Sequence, residues 1–564
     1  MKQKIRLALI SIILLLGIVI TAAIVVYNKF APSKEVMDLY EYYKATDNEE
    51  VVLVLQNSIY EQRGQIIDGQ IYVDYDTVTT YFNKRFYWDN NESLLVYTTP
   101  TEIIKAEVGS KDYYINKSKK SMNYPIAKME DGVVYIALDY VKEFSDIEYT
   151  LYENPNRIVV SYIWGEEFLY ADIKEATQLR NEPTAKSPIL KQLKKGDHVE
   201  LIVDDGEIDG KFTRVMTEDG IIGYVKNSMA KNAYYEVIES DFKAPEYTSI
   251  LKDYKVNLTF HQVTNQTANG YVLELLGNTK GVTTISPTWF KVSSVEGDVE
   301  SLASETYVGR AHNYGVEVWA LVDDFTNGID MKELLAYTSR REKLSNELIA
   351  LAIKYNLDGL NLDFEKIPQA AGADFIQFLR EMSVKCRNNS IILSVDNYVP
   401  SAYTSYYDRA EQGVLVDYVV TMAYDEHISS SDGSGSVASI GFVEDAVTNV
   451  VKEVPAEKNI IAIPFYTRLW EETAEGVTAK AYSMQQAQNI LDQNQAEATW
   501  DDETKQYYAE YESGGKTYKI WLEEEESLEE KLKVIMNNDV AGIASWKLGL
   551  EKSSVWSTIL KYVN

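Results

Sequence analysis

Short apolar runs separated by helical stretches fill the C-terminal half of the chain. From Tyr254 onward the runs are KVNLTFHQV, GVTTISPTWF, GVEVWALVDDF, LDGLNLDFE, IILSVDNYV, VDYVVTMAYDEH, NIIAIPFYTRLW and AGIASWKLG. Each reads as a strand, and the segments between them carry helical periodicity. Strands alternating with helices form parallel sheets, and eight such units predict a (β/α)₈ TIM barrel over residues 250–564. In that fold functional side chains stand at the C-terminal ends of the strands.

The N-terminal half has a different texture. Lys2, Lys4 and Arg6 precede an unbroken apolar run from Leu7 to Tyr27, long enough to cross a bilayer as a helix. Residues 1–30 are therefore expected to anchor the chain in a membrane, with the basic flank inside and the bulk of the protein outside. A cleaved signal peptide, with Thr21-Ala22-Ala23 as its cleavage site, is the alternative; the length of the run favours the anchor. Residues 31–50 read as a polar, helical tether. Residues 51–165 hold short Val-, Ile-, Tyr- and Thr-rich runs broken by Asp, Asn and Gly. IIDGQIYVDYDTV and MEDGVVYIALDYV each read as a turn, a strand and the start of a helix, which points to a duplicated unit. Residues 166–235 read as strands around a Lys-Lys-Gly-Asp turn, ending in a Gly-Tyr-Val strand. The expected fold class is thus multidomain: a transmembrane helix, two small β-rich modules and the barrel.

Charge and cysteine content narrow the partners. A formal net charge of −31 opposes nucleic acid and cell-wall polyanions such as teichoic acid. The single cysteine, Cys386, excludes an intrachain disulfide and lies in a helical-looking segment, where a buried packing role is expected. His261, His312 and His427 are scattered, and no glycine-rich phosphate loop occurs, so neither a metal nor a cofactor is expected.

The fourth barrel strand carries the chemistry. In Asp358-Gly359-Leu360-Asn361-Leu362-Asp363-Phe364-Glu365, alternation places Asn361, Asp363 and Glu365 on one face and Leu360, Leu362 and Phe364 on the other. The apolar face suits the helix layer, so the polar face points into the barrel. Buried carboxylates are costly there unless they are used or paired. Glu365, last in the row, is expected to be a proton donor to a glycosidic oxygen, its pKa raised by neighbouring Asp363. Two carboxylates two residues apart on one strand cannot flank a bond from opposite sides. Substrate-assisted catalysis resolves this: the sugar's 2-acetamido oxygen attacks the anomeric carbon, and Asp363 orients that group. Asp358, at odd spacing from the others, falls on the opposite face or at the strand mouth, where it would brace the backbone. Trp289 and Trp319 fall near strand ends and are read either as sugar-stacking rings, Trp289 foremost, or as packing. The loop SSSDGSGSVAS after His427 reads as a mobile cover for the site.

This row resembles the signature of glycoside hydrolase family 18, the chitinase-like family, in which a D-G-x-D-x-D-x-E strand ends in the acid. The resemblance extends from Tyr254 to Asn564. Met422-Ala423-Tyr424-Asp425 matches the family's M-x-Y-D, which implies that Tyr424 hydrogen-bonds the acetamido group and that Met422 and Asp425 contact substrate. Pro464-Phe465-Tyr466-Thr467-Arg468 resembles the seventh-strand binding motif, and Trp546 stands where the family places an indole floor under the reactive sugar. Asn361 replaces the middle Asp; an amide can hydrogen-bond Asp363 but cannot share a proton with it. With SPTWF and AYDEH, this resembles the branch acting on bacterial peptidoglycan, which includes spore-cortex-lytic N-acetylglucosaminidases. The resemblance implies a glycosidase cutting β-1,4 bonds of N-acetylglucosamine-containing glycan; a chitinase and a catalytically silent wall lectin are the alternatives. Residues 51–165 resemble the copper amine oxidase N-terminal-like domain, read as a wall-binding or spacer module without metal. Residues 166–235 resemble bacterial SH3-like barrels, which implies binding of cell-wall peptide.

Overall fold

The structure is a computed structural model and describes residues 2–47, 49–202 and 210–563. It divides into two compact units. The first comprises Met1–Phe86, Ala106–Tyr113 and Lys120–Ala244; the second comprises Tyr87–Lys105, Tyr114–Lys119 and Pro245–Asn564.

The first unit opens with a helix, Lys2–Phe30, whose side chains from Lys2 to Tyr27 are exposed. It is long and apolar enough to cross a membrane, a test that a signal sequence also passes. The segment read as a tether is instead packed down. Met37 N–H donates to Ile189 O, a short helix spans Leu39–Tyr43, and Tyr43 is buried with its hydroxyl donating to Gly220 O at 2.9 Å. Tyrosines in this segment bury apolar rings, which its polar average concealed.

Two seven-stranded sheets follow. In the first, the strands Gln70–Asp74 and Val133–Ala137 are neighbours, paired antiparallel with Val73 opposite Ile136. They are the two copies seen in the sequence. Each follows an Asp-Gly turn with both residues at positive φ (Asp68 and Gly69, Asp131 and Gly132), the backbone a tight hairpin requires. Each then runs into a helix, Tyr75–Thr77 or Leu138–Phe144. The second sheet contains Ile189–Leu193 and His198–Leu201 on either side of the Lys-Lys-Gly-Asp turn, and Ile222–Lys226 carries the Gly-Tyr-Val run. The two sheets share one core, in which Val52 and Val54 pack with Ala171, Leu179, Leu201 and Val225.

In the second unit eight parallel strands close into a barrel: β1 (Val256–His261), β2 (Thr284–Val292), β3 (Glu317–Asp323), β4 (Gly359–Asp363), β5 (Ile392–Tyr398), β6 (Tyr418–Met422), β7 (Asn459–Pro464) and β8 (Gly542–Trp546). Each pairs with its sequence neighbour and β8 closes onto β1, with Leu258 opposite Ala544. Two apolar layers result from strand alternation. Leu258, Trp319, Leu321, Tyr418 and Val420 fill the interior; Leu360, Leu362 and Phe364 join the larger core under the helices. Cys386 is buried on the helix Gly372–Asn388.

The run NIIAIPFYTRLW is not one strand. β7 ends at Pro464, and Tyr466–Thr473 begins a separate five-stranded antiparallel sheet with Gly476–Ser483, Thr499–Asp501, Gln506–Ser513 and Lys516–Leu522. This insertion lies between β7 and β8 and carries Tyr466 and Arg468.

Candidate active site

The C-terminal ends of the strands surround a cleft of about 610 Å³. β4 contributes Asp363 and, two residues beyond its end, Glu365; β5 contributes Asp396 and Tyr398. β6 contributes Met422 and the residues just past it, Tyr424 and Asp425. Phe260, Phe325 and Trp546 supply aromatic walls from β1, the β3 loop and β8.

Asn361 is fully buried and does not reach the cleft. Its amide is oriented from both sides: Ser394 Oγ donates to Asn361 Oδ1 at 2.5 Å, and Asn361 Nδ2 donates to Asp396 Oδ2 at 2.8 Å. Glu365 is half-buried and accepts a hydrogen bond from the Tyr398 hydroxyl. Its backbone N–H, with that of Lys366, donates to the carboxylate of Asp324 (3.1 and 2.8 Å). Tyr407 OH donates to Phe364 O at 3.0 Å from the other side. The acid is thus held by its main chain as well as its side chain.

Asp425 sits at φ +58°, in the left-handed region, and gathers donors from the inserted sheet: Tyr466 OH, and Arg468 Nη2 at 2.8 Å. Tyr466 and Arg468 do not themselves line the cleft; they hold Asp425, which does.

Burial dominates the electrostatics. It pushes the Glu365 carboxyl up; the Tyr398 hydrogen bond opposes this and the charge of Asp425 adds to it. Asp363, to which the sequence reading gave that role, repels Glu365 in turn, and Asp425 adds a second charge from the loop after β6. Asp363 is raised well above the ordinary carboxylate range, first by burial and then by Asp396 and Glu365. Asp396 is raised well above it too, by burial, with the Asn361 hydrogen bond opposing. Burial and the same carboxylates keep the Tyr424 hydroxyl protonated.

Other residues singled out from the sequence lie elsewhere. Asp358 is at the N-terminal end of β4, where its carboxylate accepts from Val318 N–H (2.8 Å) and contacts His312 Nε2 (2.7 Å). Trp289 does not stack on anything in the cleft: it is 1% exposed and donates to Asn269 Oδ1 in the outer core. Its position near the end of an apolar run fitted either role, and β2 turns its ring outward toward the helices. Trp319 is buried inside the barrel, stacked on Tyr418. His427 Nδ1 contacts Ser436 O, and the serine-rich loop is pinned to the inserted sheet by Ser434 to Glu472 and by Trp470 Nε1 to Gly435 O. Among the described residues, no group of three or more His, Cys, Asp or Glu is arranged to hold a metal.

The sequence reading passed over Asp396, Tyr398 and Asp324. The first two were legible, because Ser394, Asp396 and Tyr398 alternate on β5 as Asn361, Asp363 and Glu365 do on and after β4. Asp324 offered no such signal, since it acts from the loop after β3.

A parallel eight-stranded barrel with a buried carboxyl row opening into an aromatic cleft defines a barrel hydrolase. Comparison with known proteins specifies which. Residues 245–551 match the glycosyl hydrolases family 18, and the chain belongs to that family: it is a glycoside hydrolase. Residues 54–160 match the copper amine oxidase N-terminal domain. Among curated proteins, the chain is 25% identical over 259 residues to the uncharacterized glycosylase YvbX of Bacillus subtilis, covering 44% of this chain and 75% of that protein. It is 28% identical over 225 residues to the cortical fragment-lytic enzyme of the same organism, covering 38% and 52%. The match thus spans about half the length of the second relative. Among solved structures, the C-terminal domain of a putative chitinase from Desulfitobacterium hafniense superposes with a TM-score of 0.51 at 21% identity, over 55% of this chain and all of that one. That likeness is one of fold.

Proposed function

We propose that the chain cuts β-1,4 bonds of N-acetylglucosamine-containing glycan by substrate-assisted, retaining catalysis, and that its substrate is peptidoglycan. The observation that carries this reading is the Asp363–Glu365 pair opening into the aromatic cleft. Asp363 lines the cleft with its carboxyl, an acceptor open to a donor from a bound ligand. In this reading the acetamido N–H of the sugar supplies it. Glu365, whose carboxyl burial pushes up, gives its proton to the glycosidic oxygen. The acetamido oxygen closes on the anomeric carbon, Asp363 balances the positive oxazolinium ion, and water then opens it with Glu365 as base. Tyr424, whose hydroxyl stays protonated, donates a hydrogen bond to the acetamido group; Trp546 lies under the sugar, and Met422 and Asp425 contact it. Tyr466 and Arg468 serve through Asp425.

The cortical fragment-lytic relative supports a wall glycan as substrate. An apolar N-terminal helix acting as anchor would hold the barrel outside the membrane, where that polymer is, and the second sheet of the first unit would hold wall peptide. Release of reducing ends from purified peptidoglycan by the chain lacking residues 1–30 tests the reading. Glu365→Gln is expected to abolish release while leaving the thermal midpoint in place; turnover by the variant close to that of wild type would sink the assignment. Activity on chitin oligomers but not on peptidoglycan would move the substrate to chitin.

A further inference from the structure

β4 and β5 run parallel, with Asn361 opposite Ser394 and Leu362 opposite Val395. The next step of that register brings Asp363 alongside Asp396. Neighbouring strands lie about 4.8 Å apart, and side chains level with each other on one face are within contact range. Both carboxyls line the cleft and both are almost fully buried, at 5% and 3% exposure. Each has one oxygen, Oδ1, with no hydrogen-bond partner. Two buried carboxylates this close cannot both carry charge, and two orphaned acceptors on adjacent residues are what remains when a proton between them is left out.

The neighbours fix which oxygens face each other. Ser394 donates to Asn361 Oδ1, so the Asn361 amide nitrogen is turned to Asp396 and occupies its Oδ2. Oδ1 of Asp396 is then the oxygen left to meet Asp363. Asn361 itself has no proton to share, so it orients the pair rather than joining it.

We propose that Asp363 and Asp396 form a carboxyl pair holding one proton between them, with Asp396 as the positioning residue for Asp363. The pair carries one negative charge. When the acetamido N–H arrives at Asp363, the shared proton moves to Asp396, so Asp363 presents its charge to the developing oxazolinium ion while the pair's total charge is unchanged. The other ionisable groups acting on the pair are Glu365, Asp323 and Asp324, with Tyr424 beside it, and each of these acids adds negative charge rather than neutralising it. The kinetic consequences rest on the glycosidase reading; the pair itself does not.

Two measurements test it. The first is the infrared stretch of protonated carboxyl groups in heavy water at neutral pH, using the full chain. Asp363→Asn, Asp396→Asn and the double variant are each expected to lose the same single-carboxyl signal. No loss in either single variant, or twice the loss in the double, would overturn the pair. The second is kinetics on glycan. Asp396→Asn is expected to lower kcat about 10- to 100-fold, the loss of a hydrogen bond to a charged group, with KM little changed. Returning a carboxyl from the adjacent position, in Asn361→Asp with Asp396→Asn, is expected to recover most of that loss. An unchanged kcat in a folded Asp396→Asn would overturn the positioning role. If wild type acts on neither peptidoglycan nor chitin oligomers, the glycosidase reading falls while the infrared result still decides the pair.

Discussion

At the scale of single residues, the proton on Glu365 is set by opposing neighbours whose removal must act in opposite directions. Burial raises its pKa, the Tyr398 hydroxyl lowers it and the charge of Asp425 raises it. A general acid is active below its pKa, so the alkaline limb of kcat/KM follows Glu365. Tyr398→Phe removes the lowering hydrogen bond and is expected to move that limb to higher pH. Asp425→Asn removes the raising charge and is expected to move it to lower pH. Measured pH profiles with both shifts in one direction would show that the limb belongs to another group. The distinction was hidden in the sequence. Asp363, two residues away, is the neighbour that linear reading notices, whereas Asp425 comes from two strands farther round the barrel. The same limit explains Trp289. Its place near the end of β2 was legible, but which layer its ring enters depends on the pleat at residue resolution, and there the outer core won.

At the scale of elements, the loops after β3 and β4 are stitched together, and the stitch positions the acid. Asp324 accepts from the amides of Glu365 and Lys366, and Lys366 Nζ returns to Phe325 O at 2.9 Å. Asp324→Asn keeps the shape but turns a donor toward one of the two N–H groups, so kcat is expected to fall about tenfold or more with KM little affected. Stability supplies a second readout. Burial holds Asp324 at about 6, above its ordinary 3.8. Between those values the folded state keeps a proton that the unfolded state has lost. The stability this provides is complete below pH 3.8 and is lost as pH rises to about 6. Unfolding free energies measured across that range should fall in wild type by up to about 3 kcal/mol and fall less in Asp324→Asn. The eight barrel strands were visible because each is a short, apolar-rich run set between helical stretches at regular spacing. The inserted sheet was not, because β7 passes through Phe465 into Tyr466–Thr473 with no Gly, Asn or Asp turn signal between them, and its partners alternate apolar and charged residues as solvent-facing strands do.

At the scale of the whole molecule, the boundaries of the barrel unit do not follow the sequence. Tyr87–Lys105 precedes the family match by well over a hundred residues, yet it belongs to the second unit. Its side chains complete the helices they meet. The helix Thr338–Tyr355 has no capping side chain of its own at Tyr337. Asp89 Oδ2 takes that place, accepting from both Thr338 N–H and Thr338 Oγ1 at 2.6 Å. Next to it the buried Arg341–Glu381 pair is extended by Tyr87, whose hydroxyl accepts from Arg341 Nη1 at 3.2 Å and donates to Asp374 at 2.7 Å. No local sequence rule reveals a cap supplied from some 250 residues away, and the copper amine oxidase N-terminal match, residues 54–160, spans these same residues. If Asp89 acts as that cap, Asp89→Ala strands a buried N–H and hydroxyl at the start of a barrel helix and should cost about 1–2 kcal/mol. Calorimetry of the full chain reads where the cost falls. The transition that should move down is the one shared with Trp556→Ala, a substitution deep in the barrel's outer core. A shift confined to the other transition, the one lowered by Val52→Ala in the core of the first unit, would return residues 87–105 to the β-rich module.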